Sequence, residues 1–320
     1  MGSESRRYRW IDRTRAAVLV STALMGSLLA APRASSAQEK PDGTTPTRVS
    51  GPGVPATGDT VFRVCADPDD LPSSNRKAEG FDNKIAALVA KDIGNPLVYV
   101  WWPQRRGFIR NTLRARECDV VFGVPVGYDP VLSTRPYYRS TYYLVFPTKR
   151  HLGLTSLDDP ALKRLRIGVN LIGEDYAHTP PVHALLARGI SANVTGFSTF
   201  YGEEHRPGDI IAALEKGDID VAIAWGPVAG YFAKRSKIPL TLVALPDDKV
   251  SGLPLEFDVG LGVRRSDRDL RERLDEILER RRPEIDRILR EYGVPTVRKP
   301  PTADKPDAAK PGADKAAAKP

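Results

Sequence analysis

The chain has 320 residues, 41% of them hydrophobic, and a formal net charge of +8. That length holds two ordinary domains or one large one, and that apolar content excludes a wholly disordered chain. The positive charge does not mark a nucleic-acid binder: residues 1–37 hold six Arg against two acids and residues 296–320 hold six Lys or Arg against three Asp, so the body keeps only +1 from which to build a basic face.

In chain order, Arg6, Arg7, Arg9, Arg13 and Arg15 form a basic head. The uncharged run AAVLVSTALMGSLLAA follows, then small residues ending at Ala37. This is the layout of a signal peptide, predicted over 1–37; the apolar run is too short and too diluted with Ser, Thr and Gly for a membrane anchor. Residues 38–58 are rich in Pro, Gly, Thr and Asp and read as a flexible leader. TVFRVCA (60–66) has the β-branched and aromatic residues of a strand. FDNKIAALVAKDIG reads as a helix with Phe81, Ile85, Leu88 and Val89 on one face and Gly94 as its stop. PLVYVWW reads as a strand, QRRGFIRNTLRAR as a helix with Phe108, Ile109, Thr112 and Leu113 inward, and 119–123 as a third strand. Strands alternating with helices predict a mainly parallel sheet.

TYYLVFP (141–147) is a strand that changes direction at Pro147, after which the pattern restarts. RLRIGVN is a strand, and a helix begins raggedly around Pro180 and Pro181. NVTGFS is a short strand, GDIIAALEKG a helix closed by Gly217, and IDVAIAW and PLTLVAL are strands. FDVGLGVRR is a last strand. SDRDLRERLDEILERR is a helix with Ser266 as N-cap, and Pro283 opens a final helix closed by Gly293. Lys-Pro and Ala-Asp-Lys repeats predict a disordered Lys/Ala/Pro tail over 296–320. One phrase occurs twice: RECDVVFGVPVGYDP (116–130) and KGDIDVAIAWGPVAG (216–230). Two α/β lobes would each place a strand end and a loop at the mouth of a sheet, where open sheets bind ligands. The loops 125–130 and 225–230 are therefore expected to face each other across a cleft.

Catalytic and metal signals are weak. His151, His178, His183 and His205 show no metal-ligand spacing. DPDD (67–70) lacks the pattern of a calcium loop, with Ala78 at the twelfth place and Pro68 and Pro72 stiffening it. There is no P-loop and no Gly-x-Ser-x-Gly. No catalytic residue, metal or cofactor is expected; a dehydratase using Asp129 or Glu174 is the enzymic alternative. In an exported chain Cys65 and Cys118, both on predicted strands, can form a disulfide, the alternative being two buried thiols. Trp101, Trp102, Tyr137, Tyr138, Tyr142 and Tyr143 suit core or hinge packing. WWPQRRG and RPYYR also interleave rings with Arg, as partner surfaces do.

The pieces FRVCADPDDLP, GFDNKIAALVAKDIG, ARECDVVFGVPV, RPYYRSTYYLVFP, LRIGVN, DIDVAIAWGPVAGYFAKR and DVGLGVRRSDRDLRERLDEIL, in this order over about residues 60–292, resemble the periplasmic solute-binding proteins of the amino-acid family. The resemblance implies an α/β, two-lobed type II periplasmic-binding-protein fold. Each lobe would be a mainly parallel sheet flanked by helices, with a cleft between. Lobe 1 is expected at 59–147 plus 255–295, lobe 2 at 148–245, and the return hinge at 246–254. The amino-acid keys of that family are altered. Tyr128 and Asp129 stand near the place of its carboxylate-clamping Arg, Glu174 or Asp175 stands in its Gly-Thr-Thr turn, and Trp225 replaces its ammonium-binding Asp. An α-amino-acid carboxylate would face acids, at a cost of several kcal/mol.

RVCADPDDLPSSN, EGFDNKIAALVA, ECDVVFGVP and STRPYYRSTYYLVF are similar to a narrower group, the MoxJ/XoxJ proteins associated with quinoprotein dehydrogenases; Ser73 departs from it where Phe is expected. This resemblance implies a periplasmic accessory protein that binds or activates a PQQ-dependent methanol or alcohol dehydrogenase. The alternative is an ABC-importer receptor for a non-amino-acid ligand. In this fold the strands of Cys65 and Cys118 are neighbours, within reach of a disulfide. The cleft is expected to hold Asp67, Asn75, Tyr128, Asp129, Asn170, Glu174 and Trp225, taking a small uncharged or cationic ligand or a partner segment. No nucleic acid is expected as a partner, and no membrane span after signal removal.

Overall fold

The computed structural model describes residues 47–49, 61–172 and 177–297, all within the unit Thr45–Pro320. The predicted signal peptide, Glu174 and most of the tail lie outside the described residues.

The first sheet is built from β1 (Thr47–Val49), β2 (Phe62–Ala66), β3 (Leu97–Trp101), β4 (Val120–Pro125), β5 (Leu132–Ser133), the start of β6 (Tyr138–Pro147) and, much later, β12 (Glu256–Val263). β2, β3 and β4 are parallel, as expected for strands joined through helices, and β12 runs antiparallel between β4 and β6. α1 (Phe81–Ile93) buries Phe81, Ile85 and Val89 against Leu261, Val263 and α6 and α7 (Arg268–Arg280 and Arg282–Glu291). The second sheet holds β7 (Ile167–Ile172), β8 (Ala177–His178), β9 (Val194–Ser198), β10 (Val221–Trp225), β11 (Leu240–Ala244) and the rest of β6. Its β9, β7 and β10 are parallel. α4 (Asp209–Lys216) packs Ile210, Ile211 and Leu214 on one face and α3 (Pro180–Leu186) covers the other. The architecture is the two-lobed type II fold.

The lobes are joined by one strand that serves both sheets. Tyr138 to Thr141 pair with β12, whereas Tyr142 onward pairs with β10 and β11. The changeover thus lies in mid-strand, not at Pro147, because the antiparallel ladder continues without a break. The chain returns beside it. Leu245 N donates to Tyr142 O at 2.9 Å, and Tyr142 N to Leu255 O at 3.3 Å. The buried Thr141 hydroxyl contacts the carbonyls of both Leu245 and Leu255. One side chain therefore ties together both crossings.

Four local expectations are corrected. Thr47–Val49, inside the stretch read as a leader, pairs antiparallel with β3. α2 (Phe108–Asn111) is one turn long, because Thr112 leaves helical geometry and returns its hydroxyl to Phe108 O at 2.6 Å; Phe108, Thr112 and Leu113 still point inward. The N-cap of α6 is Asp267, not Ser266, whose hydroxyl instead donates to the Asp267 carboxylate at 2.7 Å. The second loop of the repeat is a helix, α5 (Gly226–Ala233), opened by Pro227, a residue suited to a first helical turn.

α5 meets the chain's return past α7. Tyr231 and Tyr292 stack at 5.9 Å, and Lys234 Nζ donates to Glu291 O at 2.9 Å. A Cβ on Gly230 would collide with the Gly293 carbonyl. Gly230→Ala is expected to lose about 1–3 kcal/mol by overpacking. A urea midpoint equal to wild type would contradict this contact.

Candidate ligand cleft

A cavity of about 370 Å³ lies where the strand ends of the two lobes meet. The first lobe supplies Asp67 and Asp70 from the loop after β2, and Asp82 and Asn83 from the first turn of α1. β6 supplies Tyr138 and Tyr142; the second lobe supplies Asn170, Tyr201 and Trp225. Each position follows from the local fold: loops after parallel strands and helix starts open toward the mouth of an α/β sheet.

Trp225 ends β10 and leans across the junction. Its ring sits 5.3 Å from Tyr142 and 5.9 Å from Phe257 of β12, edge-on in both cases. Asp67 holds the rim in shape: its carboxylate accepts Asp69 N at 2.8 Å and Gln104 N at 2.5 Å. Asn170 is buried, and its carbonyl accepts the Thr179 hydroxyl at 2.8 Å. At the mouth, the Arg105 guanidinium lies over the Phe200 ring at 5.4 Å, one lobe touching the other.

The acids are electrostatically crowded. Burial raises the Asp67 carboxyl above its ordinary range, against two backbone hydrogen bonds. Burial, then the charges of Asp67 and Asp82, holds Asp70 well above that range. Burial pushes Asp82 up to about 7, although the Tyr137 hydroxyl donates to it at 2.6 Å. Asp70 and the hydroxyls of Tyr99, Tyr137 and Tyr138 lie within its field. A raised carboxyl stabilises the fold while protonated, and that contribution is lost as pH rises through about 7. Asp82→Asn, which stays neutral and keeps an acceptor for Tyr137, is therefore expected to be more stable than wild type at pH 8 and no more stable at pH 4. Thermal unfolding at the two pH values checks this; a gain that is equal at both would contradict it.

The structure brings together Asp67, Asn170 and Trp225 of the predicted site. It does not bring in Asn75, Tyr128 or Asp129. Asn75 folds the loop, with its side chain bridging Glu79 N and the Glu79 carboxylate at 2.8 and 2.7 Å. Loop 125–130 is held against β12 and β5. Val126 N donates to Asp258 O at 2.8 Å, Gly127 N to Ser133 Oγ at 3.0 Å, and Arg265 grips Asp129 at 2.5 Å. Tyr128 is 43% exposed and lines a second depression of about 410 Å³, with Arg105, Arg106, Arg110 and Arg114. Asp70, Asp82, Asn83, Tyr142 and Tyr201 were not singled out as cleft residues in the sequence. The available signal was the polar pair Asp82–Asn83 beside the inward-facing Phe81 and Ile85. Cys65 and Cys118 form the expected disulfide, with Cα atoms 5.6 Å apart.

No protein-family model matches the chain. The crystal structure of the periplasmic binding protein XoxJ from Methylobacterium extorquens AM1 aligns with a TM-score of 0.62 and 37% identity, covering 75% of this chain and all of that one. Protein MoxJ of Methylorubrum extorquens is 29% identical over 297 residues, 89% of this chain and 96% of the relative. Protein MoxJ of Paracoccus denitrificans is 29% identical over 260 residues, 75% and 91% of the two chains.

Proposed function

The chain belongs to the MoxJ/XoxJ family of periplasmic binding proteins, and from that membership we propose that it is an accessory protein of a periplasmic PQQ-dependent methanol or alcohol dehydrogenase, which it binds or activates. The observation that carries this reading against amino-acid capture is the lining of the cleft, which among the described residues has three carboxyl groups and no Lys or Arg. An α-amino-acid carboxylate would find no cationic clamp among these residues. The reading also assigns the protein no catalysis of its own and no cofactor.

The depression beside the cleft is the face we assign to the dehydrogenase. It shares Gln104, Phe108 and Gly123 with the cleft, so an event in one is one residue away from the other. Arg105, Arg110 and Arg114 are exposed around the Tyr128 ring, and arginine with an aromatic anchor is the composition of protein interfaces. The other Arg-ring cluster, RPYYR, buries both of its tyrosines and builds core.

Affinity-tagged protein, expressed in the periplasm of its source, should co-purify with the large dehydrogenase subunit. Added to purified dehydrogenase, it should change the enzyme's KM or kcat. Recovery of a permease and its ATPase instead would favour the importer reading.

A further inference from the structure

Charge and hydrogen bonding in the cleft are both incomplete. Asp67, Asp70 and Asp82 line one cavity whose walls, among the described residues, hold no Lys, Arg or His. Arg105 bears on Asp67 from the mouth, but its guanidinium is already over Phe200. Asn83 adds a separate observation. It is 2% exposed, and its Oδ1 is fixed by Asn75 N at 3.1 Å and Gly80 N at 3.0 Å. That pins the amide orientation and leaves Nδ2 a buried donor with no acceptor in hydrogen-bond geometry among the described residues; the nearby Tyr99 hydroxyl instead donates to Asn83 O at 3.2 Å. A buried amide N–H without an acceptor is costly, and native structures usually supply one. Rings complete the walls: Tyr142 and Trp225 meet edge-on, and Tyr201 lies within the field of Asp70 and Asp67.

Among the described residues no group of three His, Cys, Asp or Glu is arranged to hold a metal ion. Burial holds the three Asp carboxyls raised, so an arriving cation would draw them into the ionised form, and an organic group can supply that charge. Aromatic faces attract ammonium groups, and carboxylates supply their counter-charge. We propose that this cleft binds a compact organic ammonium ion bearing an oxygen acceptor, an amino alcohol in chemical class. Its nitrogen sits among the three carboxylates and against the Tyr142 and Trp225 rings; its oxygen takes the Asn83 amide. The proposal rests on reading the cleft as a binding site, and it gives the accessory protein a small-molecule input beside its docking face.

The test uses purified mature protein alone, so its outcome is independent of any dehydrogenase association. Melting temperature is measured with ethanolamine and choline as probes, and with ethylene glycol and glycolate as neutral and anionic counterparts, at constant ionic strength. At about 100 times its Kd a cationic probe should raise the melting temperature by several degrees. The two counterparts should not. Asp70→Asn should weaken the cationic probe about tenfold or more by calorimetric titration, and Asp82→Asn provides a second arm should the first variant fold poorly. The proposal is overturned if neither cationic probe shifts the melting temperature, if ethylene glycol or glycolate shifts it equally, or if both Asn variants bind the cation as wild type does.

Discussion

Replacing Cys65 and Cys118 together by Ala is expected to destabilise the protein by about 4 kcal/mol, the loop-closure entropy regained by an unfolded chain no longer cross-linked across 53 residues. The two Cα atoms lie 5.6 Å apart, inside the normal span of a disulfide. The bridge joins β2 to the residues leading into β4, its parallel neighbour. Both cysteines are buried in a cluster with Val100, Phe108, Leu113, Val121 and Val124. Ala fills nearly the same space, so the packing loss is small beside the entropy. Urea unfolding of the mature double variant should show a lower midpoint at similar slope. A loss under about 1 kcal/mol would show that the unfolded chain is restrained by other means. Because β2 and β4 both lead into the cleft, the variant should also bind cleft ligands less tightly.

The second large effect lies at the return crossing. Arg188 donates to Asp248 at 2.7 and 3.1 Å, and only 10% and 5% of their side chains are exposed. Ser251 adds its backbone N–H at 2.8 Å and its hydroxyl at 2.5 Å. Arg188 follows α3, so the pair fastens segment 246–254 to the second lobe. Asp248→Ala leaves the guanidinium with the exposed Asp158 as its one remaining carboxylate among the described residues, beside the Ala184 carbonyl at 2.9 Å, and breaking a buried pair from one side costs about 3–5 kcal/mol. The Arg188 hydrogen bonds hold the Asp248 carboxyl below its ordinary value of 3.8. A depressed carboxyl contributes stability above its unfolded pKa, and that contribution is lost as pH falls through the folded one. The deficit of Asp248→Ala should therefore be complete at pH 7 and should shrink below about pH 4. A deficit that does not change with pH would mean that packing, not the ion pair, is what was lost.

Much of the fold was legible because its signals are local. The apolar face Phe81, Ile85, Val89 and the stop at Gly94 define α1 without reference to the rest of the molecule, and Gly94 adopts the left-handed cap, φ 83°. The repeated strands β4 and β10 announced two sheets. The site was harder, because tertiary contacts decide where a loop goes. Asp129 stands near the place of a ligand clamp, yet Arg265, 136 residues away, draws it to the surface. Gly226 and Pro227 read as a turn after a strand, although the same Pro is well placed in a first helical turn. Asp82 was passed over because an acid in a first helical turn usually faces solvent and the helix dipole. Its burial follows from Tyr137, 55 residues on, which closes over it. The pairing of Thr47–Val49 with β3 left no sequence signal, because three residues show no periodicity.

The most direct test is one titration: purified protein lacking residues 1–37 against a periplasmic PQQ-dependent methanol or alcohol dehydrogenase of the same source, followed by calorimetry over a range of salt. The prediction is saturable association that weakens with rising salt and is reduced in the double variant Arg105→Ala, Arg110→Ala, while Asp70→Asn leaves it unchanged. Absence of heat and of co-sedimentation at low salt, with both proteins folded, would contradict it.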